Sequence, residues 1–361
     1  MFNGLWVEAK GEGAALLYRG GLEDACVQAK RLGLNALIVQ VYREGKAWYP
    51  SSEADCAPYE HCLKIGFDPL TEAIKLGQRF SLQIHAWVNV FNLGFNSGAP
   101  VLKKLGPGSL LADNHQTSVM KYPETGVCPQ MPPFSMDAPG LWLDPSSEEV
   151  RYCLTRVVKE ISCSYPTLSG IHLDYIRYPY FLPLRPSSRI RCGPDFGYSV
   201  ESLKRFAGKR TIDECFVCED GAYQPASETL SLEWDRWRRN QVTDTVKGMR
   251  AMLHTAQKLS VATLAWPERA YFCAFQNWRG WMQHELVDCV CPMAYTADDE
   301  HFEYLTRQSA CFETDKSKIS MGIGAYLLSA KEQLERQMRI ASTAGVGASV
   351  FSVRNLKRFA L

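Results

Sequence analysis

Apolar runs of strand length recur along the whole chain, and stretches of helical periodicity separate them. The first run is residues 5–9, followed by a helical stretch at 22–32 that stops at Gly33, a typical helix terminator. Residues 36–41 form a second run, then a helix over 69–76, then a third run over 82–88. An irregular stretch rich in Gly and Pro fills 92–143, and a helix over 148–161 leads into a fourth run at 170–174. After a second long excursion, 180–230, the pattern predicts a helix over 234–259 and a fifth strand over 261–265. A short helix (278–285), a sixth strand (287–293), a seventh (319–325), a helix (331–344) and an eighth strand (348–352) complete the chain.

Strands alternating with helices predict a parallel sheet with crossover helices. Eight such units predict closure, so the expected fold is α/β: a single (β/α)8 barrel over residues 1–361 with long loops after strands 3 and 4. An open doubly wound sheet is the alternative. It needs a Gly-rich phosphate turn after its first strand, and Gly11-Glu12-Gly13 lacks both the continuation and the acidic ribose partner. Barrel active sites lie at the C-terminal strand ends. The two long loops are therefore expected to wall a deep cleft, the alternative being insertions with local packing only.

Composition narrows the partners. The formal net charge is +1 and no basic run occurs, so the electrostatic basis for nucleic-acid binding is missing. No apolar run approaches the length of a membrane-spanning helix. The 16 Tyr, 16 Phe and 9 Trp permit a carbohydrate groove, since aromatic faces stack on sugars as well as filling cores. The chain starts directly in a strand pattern without signal-peptide features, so a cytoplasmic location is expected, with export after signal removal as the alternative. The 13 cysteines cannot all pair. Cys289 and Cys291 sit in an apolar run as small hydrophobes, Cys215-x-x-Cys218 has no matching second pair, and the set favours a reducing interior. No close-set metal-ligand pattern and no G-x-S-x-G elbow is present, so neither a metal nor another cofactor is expected. Oligomeric state is left open.

Side chains alternate along a strand, so polar residues spaced by two share a face. Strand 1 offers Trp6 and Glu8; strand 2, Gln40 and Tyr42, with Arg43 next; strand 3, His85, Trp87 and Asn89. Strand 4 offers His172 and Asp174, then Tyr175 and Arg177 as it leaves the barrel. Strand 5 runs into Trp266-Pro267-Glu268, and strand 6 ends near Tyr295, Asp298 and Asp299. Such a ring suits glycoside hydrolysis, in which one carboxylic acid protonates the leaving oxygen and a second carboxylate attacks or activates water. Each residue also has a structural reading: Asp174 paired with Arg177, Glu8 in a salt bridge, Glu268 facing solvent, His85 and His172 as satisfied core histidines.

Several stretches in order resemble the glycosyl-hydrolase-like 10 family. Among them are Gly4-Leu5-Trp6-Val7, Ala47-Trp48-Tyr49-Pro50-Ser51, His85-Ala86-Trp87-Val88-Asn89, Gly170-Ile171-His172-Leu173-Asp174-Tyr175, Trp237-Arg238-Arg239-Asn240 and Pro292-Met293-x-Tyr295. The resemblance implies a glycoside hydrolase, with bacterial cell-wall glycan as one substrate. It also implies a catalytic role for Asp174 and substrate-cleft roles for Gln40, His85, Trp87, Asn89 and Tyr295. Three positions depart from the family pattern: Tyr175 stands where a second acid is usual, Tyr42 displaces an Arg to Arg43, and Trp266-Pro267-Glu268 replaces a Ser-Pro motif. The expected pair is Asp174 as nucleophile with Glu268 as acid–base, the second role falling to Glu8 or Asp298 if the two lie far apart. Glu8, His172, Tyr175, Arg177 and Trp266 complete the expected substrate-binding set. The competing classes are a non-catalytic carbohydrate-binding barrel and a barrel enzyme of other chemistry, such as a lyase or metal-dependent hydrolase.

Overall fold

The computed structural model describes residues 1–12, 14–117, 134–136, 138–183, 194–313 and 315–359. Eight parallel strands close into a barrel: β1 (Gly4–Val7), β2 (Ala36–Arg43), β3 (Gln83–Asn89), β4 (Gly170–Asp174), β5 (Lys258–Leu264), β6 (Cys289–Met293), β7 (Ser320–Gly324) and β8 (Gly347–Phe351). Each pairs with its neighbours in sequence, and β1 closes the ring by pairing with both β2 and β8. The fold is the expected (β/α)8 barrel.

Alternation divides two cores. Leu5, Val7, Leu37, Val39, Ile84, Ala86, Ile171, Leu173, Val261 and Val290 face the surrounding helices in one large cluster. Trp6, Ile38, Trp87, Cys289 and Cys291 fill the barrel interior. The outer layer includes α1 (Gly21–Arg31), α2 (Pro69–Phe80), α3 (Glu148–Ser164), α4 (Glu228–Arg250), α5 (Pro267–Phe272), α6 (Trp278–Gln283), α7 (Asp299–Ala310) and α8 (Lys331–Thr343). Side chains of Asp68, Ser147, Ser227 and Asp298 cap α2, α3, α4 and α7, each accepting from a first-turn N–H. The eleven cysteines described are free thiols.

Three expectations need correction. The helix predicted over 234–259 ends at Arg250, because Leu259 already pairs with Ile171 as part of β5. Helix α7 was not expected. The second excursion is not irregular throughout: it holds helices Val200–Ala207 and Ile212–Cys215 and a hairpin of Phe216–Glu219 with Ala222–Pro225. These pack Leu203, Phe206 and Phe216 against Trp234 of α4, a satellite core of their own. Parts of both excursions, 118–133 and 184–193, lie outside the described residues.

Arg238 ties the second excursion to α4. Its side chain is 1% exposed, with Nη1 donating to Asp195 Oδ1 at 2.8 Å and to the Phe196 carbonyl at 2.5 Å. Nη2 donates to Asp235 Oδ1 at 2.5 Å, and the guanidinium lies 4.0 Å from the Phe275 ring centre.

Candidate active site

A cavity of about 640 Å³ opens among the C-terminal strand ends, where barrel enzymes place their chemistry. Two carboxylates line it, Glu8 and Asp174. Asp174 is the last residue of β4 and is 9% exposed. Tyr175 takes a left-handed backbone, φ 52°, turning the chain so that its own N–H donates to Asp174 Oδ1 at 2.8 Å. Burial pushes the Asp174 pKa up; Arg177, the Tyr175 N–H, Trp87 and Arg43 pull it only part of the way back.

A raised carboxyl pKa means the folded state binds the extra proton. Stability is then present at low pH and falls as pH rises from the ordinary carboxylate range through the raised value. Asp174→Asn removes this cost, so the variant is expected to melt about 1–3 °C above wild type at pH 7 and level with it at pH 4. Equal melting temperatures at pH 7 contradict the assignment; differential scanning fluorimetry across pH reads it.

Glu8, also 9% exposed, follows β1. The Ser352 hydroxyl donates to its Oε2, and Arg354 Nε lies 3.5 Å from the same oxygen. Asn89 is level with Asp174 in the β3–β4 register. Its Oδ1 accepts from Gln40 Nε2 at 3.3 Å, while Gln40 Oε1 accepts from the Ala9 N–H at 3.3 Å. These amides are thus held in fixed orientation before any ligand arrives.

Aromatic rings surround the acids. Phe351 meets Trp6 and Trp87 edge-on at 6.1 and 6.3 Å, and Tyr295 stacks on it at 5.6 Å. At the rim Trp266 and Tyr326 are 46% and 44% exposed. The Trp87 indole N–H is buried and makes no well-formed hydrogen bond, although it is near enough to weigh on the Asp174 carboxyl. Arg177, 4% exposed, lies over the rings of Trp142, Tyr175 and Tyr180 at 5.2–5.3 Å.

The cavity gathers Glu8, Gln40, Trp87, Asn89, Asp174, Tyr175, Arg177, Trp266 and Tyr295 from the expected set. It does not include Glu268, His85 or His172. Pro267 opens α5 with Trp266 as N-cap, and that first turn leaves Glu268 exposed while bringing Arg269 to the cavity. Glu268 therefore does not face Asp174. Asp298 accepts from the Glu300 and His301 N–H groups as the cap of α7 and stays outside the lining.

The histidines face inward but too deep. At about 3.3 Å per residue, His85 lies roughly 13 Å below Asn89 along β3. It borders a different cavity at the N-terminal end, with Phe2 packed edge-on at 4.9 Å. His172 Nε2 accepts from Trp6 Nε1 at 3.2 Å; its Nδ1 and that of His85 share Ser260 Oγ at 3.0 and 3.2 Å. Burial pushes the His85 pKa down to about 3 and that of His172 well below its ordinary value, so both are neutral and hold the barrel interior together.

Tyr42 does not share the face of Gln40. A bulge in the β2–β3 register between Gln40 and Tyr42 sends Tyr42 into the helix-facing core and brings Arg43 to the cavity. Tyr180, Arg269, His301 and Tyr326 also line it without having been singled out. Among the described residues the loop after β3 contributes no lining side chain, so the wall expected from that excursion is not seen there. Among the described residues no three His, Cys, Asp or Glu side chains gather as a metal site requires, and no helix is long and apolar enough to cross a membrane.

Eight strands, a cavity at their C-terminal ends, two carboxylates in its lining and aromatic walls together define a glycosidase-like (β/α)8 barrel. The chain belongs to the glycosyl hydrolase-like 10 family, whose sequence profile matches residues 3–339. It is 20% identical over 342 residues to glycosyl hydrolase DigH of Escherichia coli K12, covering 86% of this chain and 67% of that protein. It is 22% identical to glycosyl hydrolase YngK of Bacillus subtilis 168, over 74% of this chain and about half (47%) of that protein. In three dimensions it resembles the catalytic domain of a Paenibacillus polymyxa β-amylase (TM-score 0.62, 11% identity, 98% of this chain and 93% of that one). It also resembles α-L-fucosidase isoenzyme 2 of Paenibacillus thiaminolyticus (TM-score 0.56, 13% identity, 97% and 45%). At these identities the structural likeness concerns the fold.

Proposed function

We propose that the protein hydrolyses O-glycosidic bonds of a poly- or oligosaccharide, with Asp174 as general acid and Glu8 as the second carboxylate. The carrying observation is the buried carboxyl of Asp174, its pKa raised, in an aromatic cavity at the catalytic end of the barrel. A raised pKa keeps a proton available for the leaving oxygen at higher pH than an ordinary aspartic acid allows. This is the reverse of the nucleophile role expected for Asp174 from sequence. Glu8, paired with Arg354, either attacks the anomeric carbon or activates water. Trp266 and Tyr295 offer faces for sugar rings, and Asn89 and Gln40 in the cavity lining offer hydrogen bonds to hydroxyls.

Bacterial cell-wall glycan is one substrate class that the family relationship supports. The engagement of Glu8 by Ser352 and Arg354 favours a second reading, a barrel that binds glycan without cleaving it. Incubating the protein with cell-wall glycan freed of peptide, chitin-type and α-glucan oligosaccharides, and reading products by mass spectrometry, separates the two. New reducing ends support hydrolysis; binding without cleavage of any member supports the second reading.

A further inference from the structure

We infer that the cavity at the N-terminal end of the barrel is a second binding site, one that takes the carboxylate of a small monoanion. Its volume is about 430 Å³, and it lies at the strand ends opposite to Asp174. A run of hydrogen bonds through the barrel interior sets its deepest group. The Trp6 indole is a donor only, so His172 Nε2 accepts from it and the neutral ring carries its proton on Nδ1. That proton goes to Ser260 Oγ at 3.0 Å. The Ser260 hydroxyl hydrogen has two acceptors in reach, His85 Nδ1 at 3.2 Å and the Ile171 carbonyl at 3.4 Å, and the nearer takes it. His85, also neutral, is left with its proton on Nε2. This N–H is buried without a partner, at the edge of the cavity, where an acceptor on a ligand satisfies it.

Lys258 supplies the second donor. Gly170 pairs level with His85 on one side and with Lys258 on the other, so all three lie on the interior face of the sheet. Gly170 leaves the space between them open, since a Cβ there would stand 2.8 Å from His85 Cε1. The Phe2 ring, packed on His85 at 4.9 Å, is the side chain that gives way as a ligand oxygen approaches Nε2. The other charges of the lining are already met. Arg250 donates to Asp288 through both Nη atoms. Asp315 accepts from the Ser317 N–H and hydroxyl, with Lys318 beside it in the same turn. Glu285 is exposed, where water and salt screen it. Lys258 makes no ion pair with any described residue. One free ammonium and one free N–H match the two oxygens of a single carboxylate, and three acids in the lining disfavour a more highly charged anion.

The probes are butyrate, its neutral analogue butyramide, and inorganic phosphate. Affinities are read by calorimetry, and the His85 N–H is followed by NMR of protein carrying isotope-labelled histidine. Wild type is expected to bind butyrate about 10-fold more tightly than butyramide or phosphate, with the His85 N–H signal moving as the site fills. Lys258→Gln alters an exposed side chain, and an unchanged melting temperature confirms its fold. It is expected to bring butyrate to within about twofold of butyramide. A purely structural His85 predicts a signal that does not move. That outcome at saturation, a butyrate preference that survives Lys258→Gln, tighter binding of phosphate than of butyrate, or no binding of butyrate by wild type each overturns the inference.

Discussion

Asp174→Asn is expected to lower kcat on any glycan that wild type cleaves by about 10²–10⁴-fold, the range that a positioned acid contributes. The substitution keeps the shape and the acceptor for the Tyr175 N–H, so KM should change little. The loss should also depend on the leaving group. A substrate whose departing oxygen needs no proton, such as a nitrophenyl glycoside, should recover a large part of the rate. Uniform loss across leaving groups contradicts the acid role and returns Asp174 to that of nucleophile. In wild type the activity limb on the alkaline side should reflect the raised Asp174 pKa, and it should vanish in the variant.

The second large effect is on stability. Arg238→Met is expected to cost about 3 kcal/mol, near the low end for breaking a buried ion pair. The arginine is fully buried, but its partners Asp195 and Asp235 retain 19% and 26% side-chain exposure, so water relieves part of their loss. The change also removes the donor to the Phe196 carbonyl and the cation over Phe275. Urea denaturation followed by tryptophan fluorescence measures it; a loss under 1 kcal/mol contradicts the view that Arg238 ties the second excursion to α4.

Strand positions were legible because each inner strand of a barrel meets helices on one side and an aromatic interior on the other. Alternation at Trp6 and Glu8, or at His172 and Asp174, follows from that alone. Alternation gives the face, not the height. His85 and Asn89 share a face, yet one belongs to the floor and the other to the site. It also presumes regular pairing: the bulge after Gln40 exchanges Tyr42 for Arg43, and only the partner strand reveals it. The entry angle of a helix is similarly hidden, which is why Glu268 and Arg269 trade places. Tyr180 reaches the cavity from a loop and Tyr326 from a single 3-10 turn, Ala325–Leu327, both too short or irregular for periodicity to mark. Asp298, one alternative for the second acid, instead caps α7, a helix that the alternation did not predict.

The central claim is that the working carboxylates are Asp174 and Glu8. It is tested most directly by comparing Glu8→Gln with Glu268→Gln on the best substrate from the glycan panel, each checked for a wild-type thermal transition. Glu8→Gln should lower kcat by about 10²-fold or more, whereas Glu268→Gln should stay within about twofold of wild type. The opposite order, activity lost with Glu268 and kept without Glu8, contradicts the account.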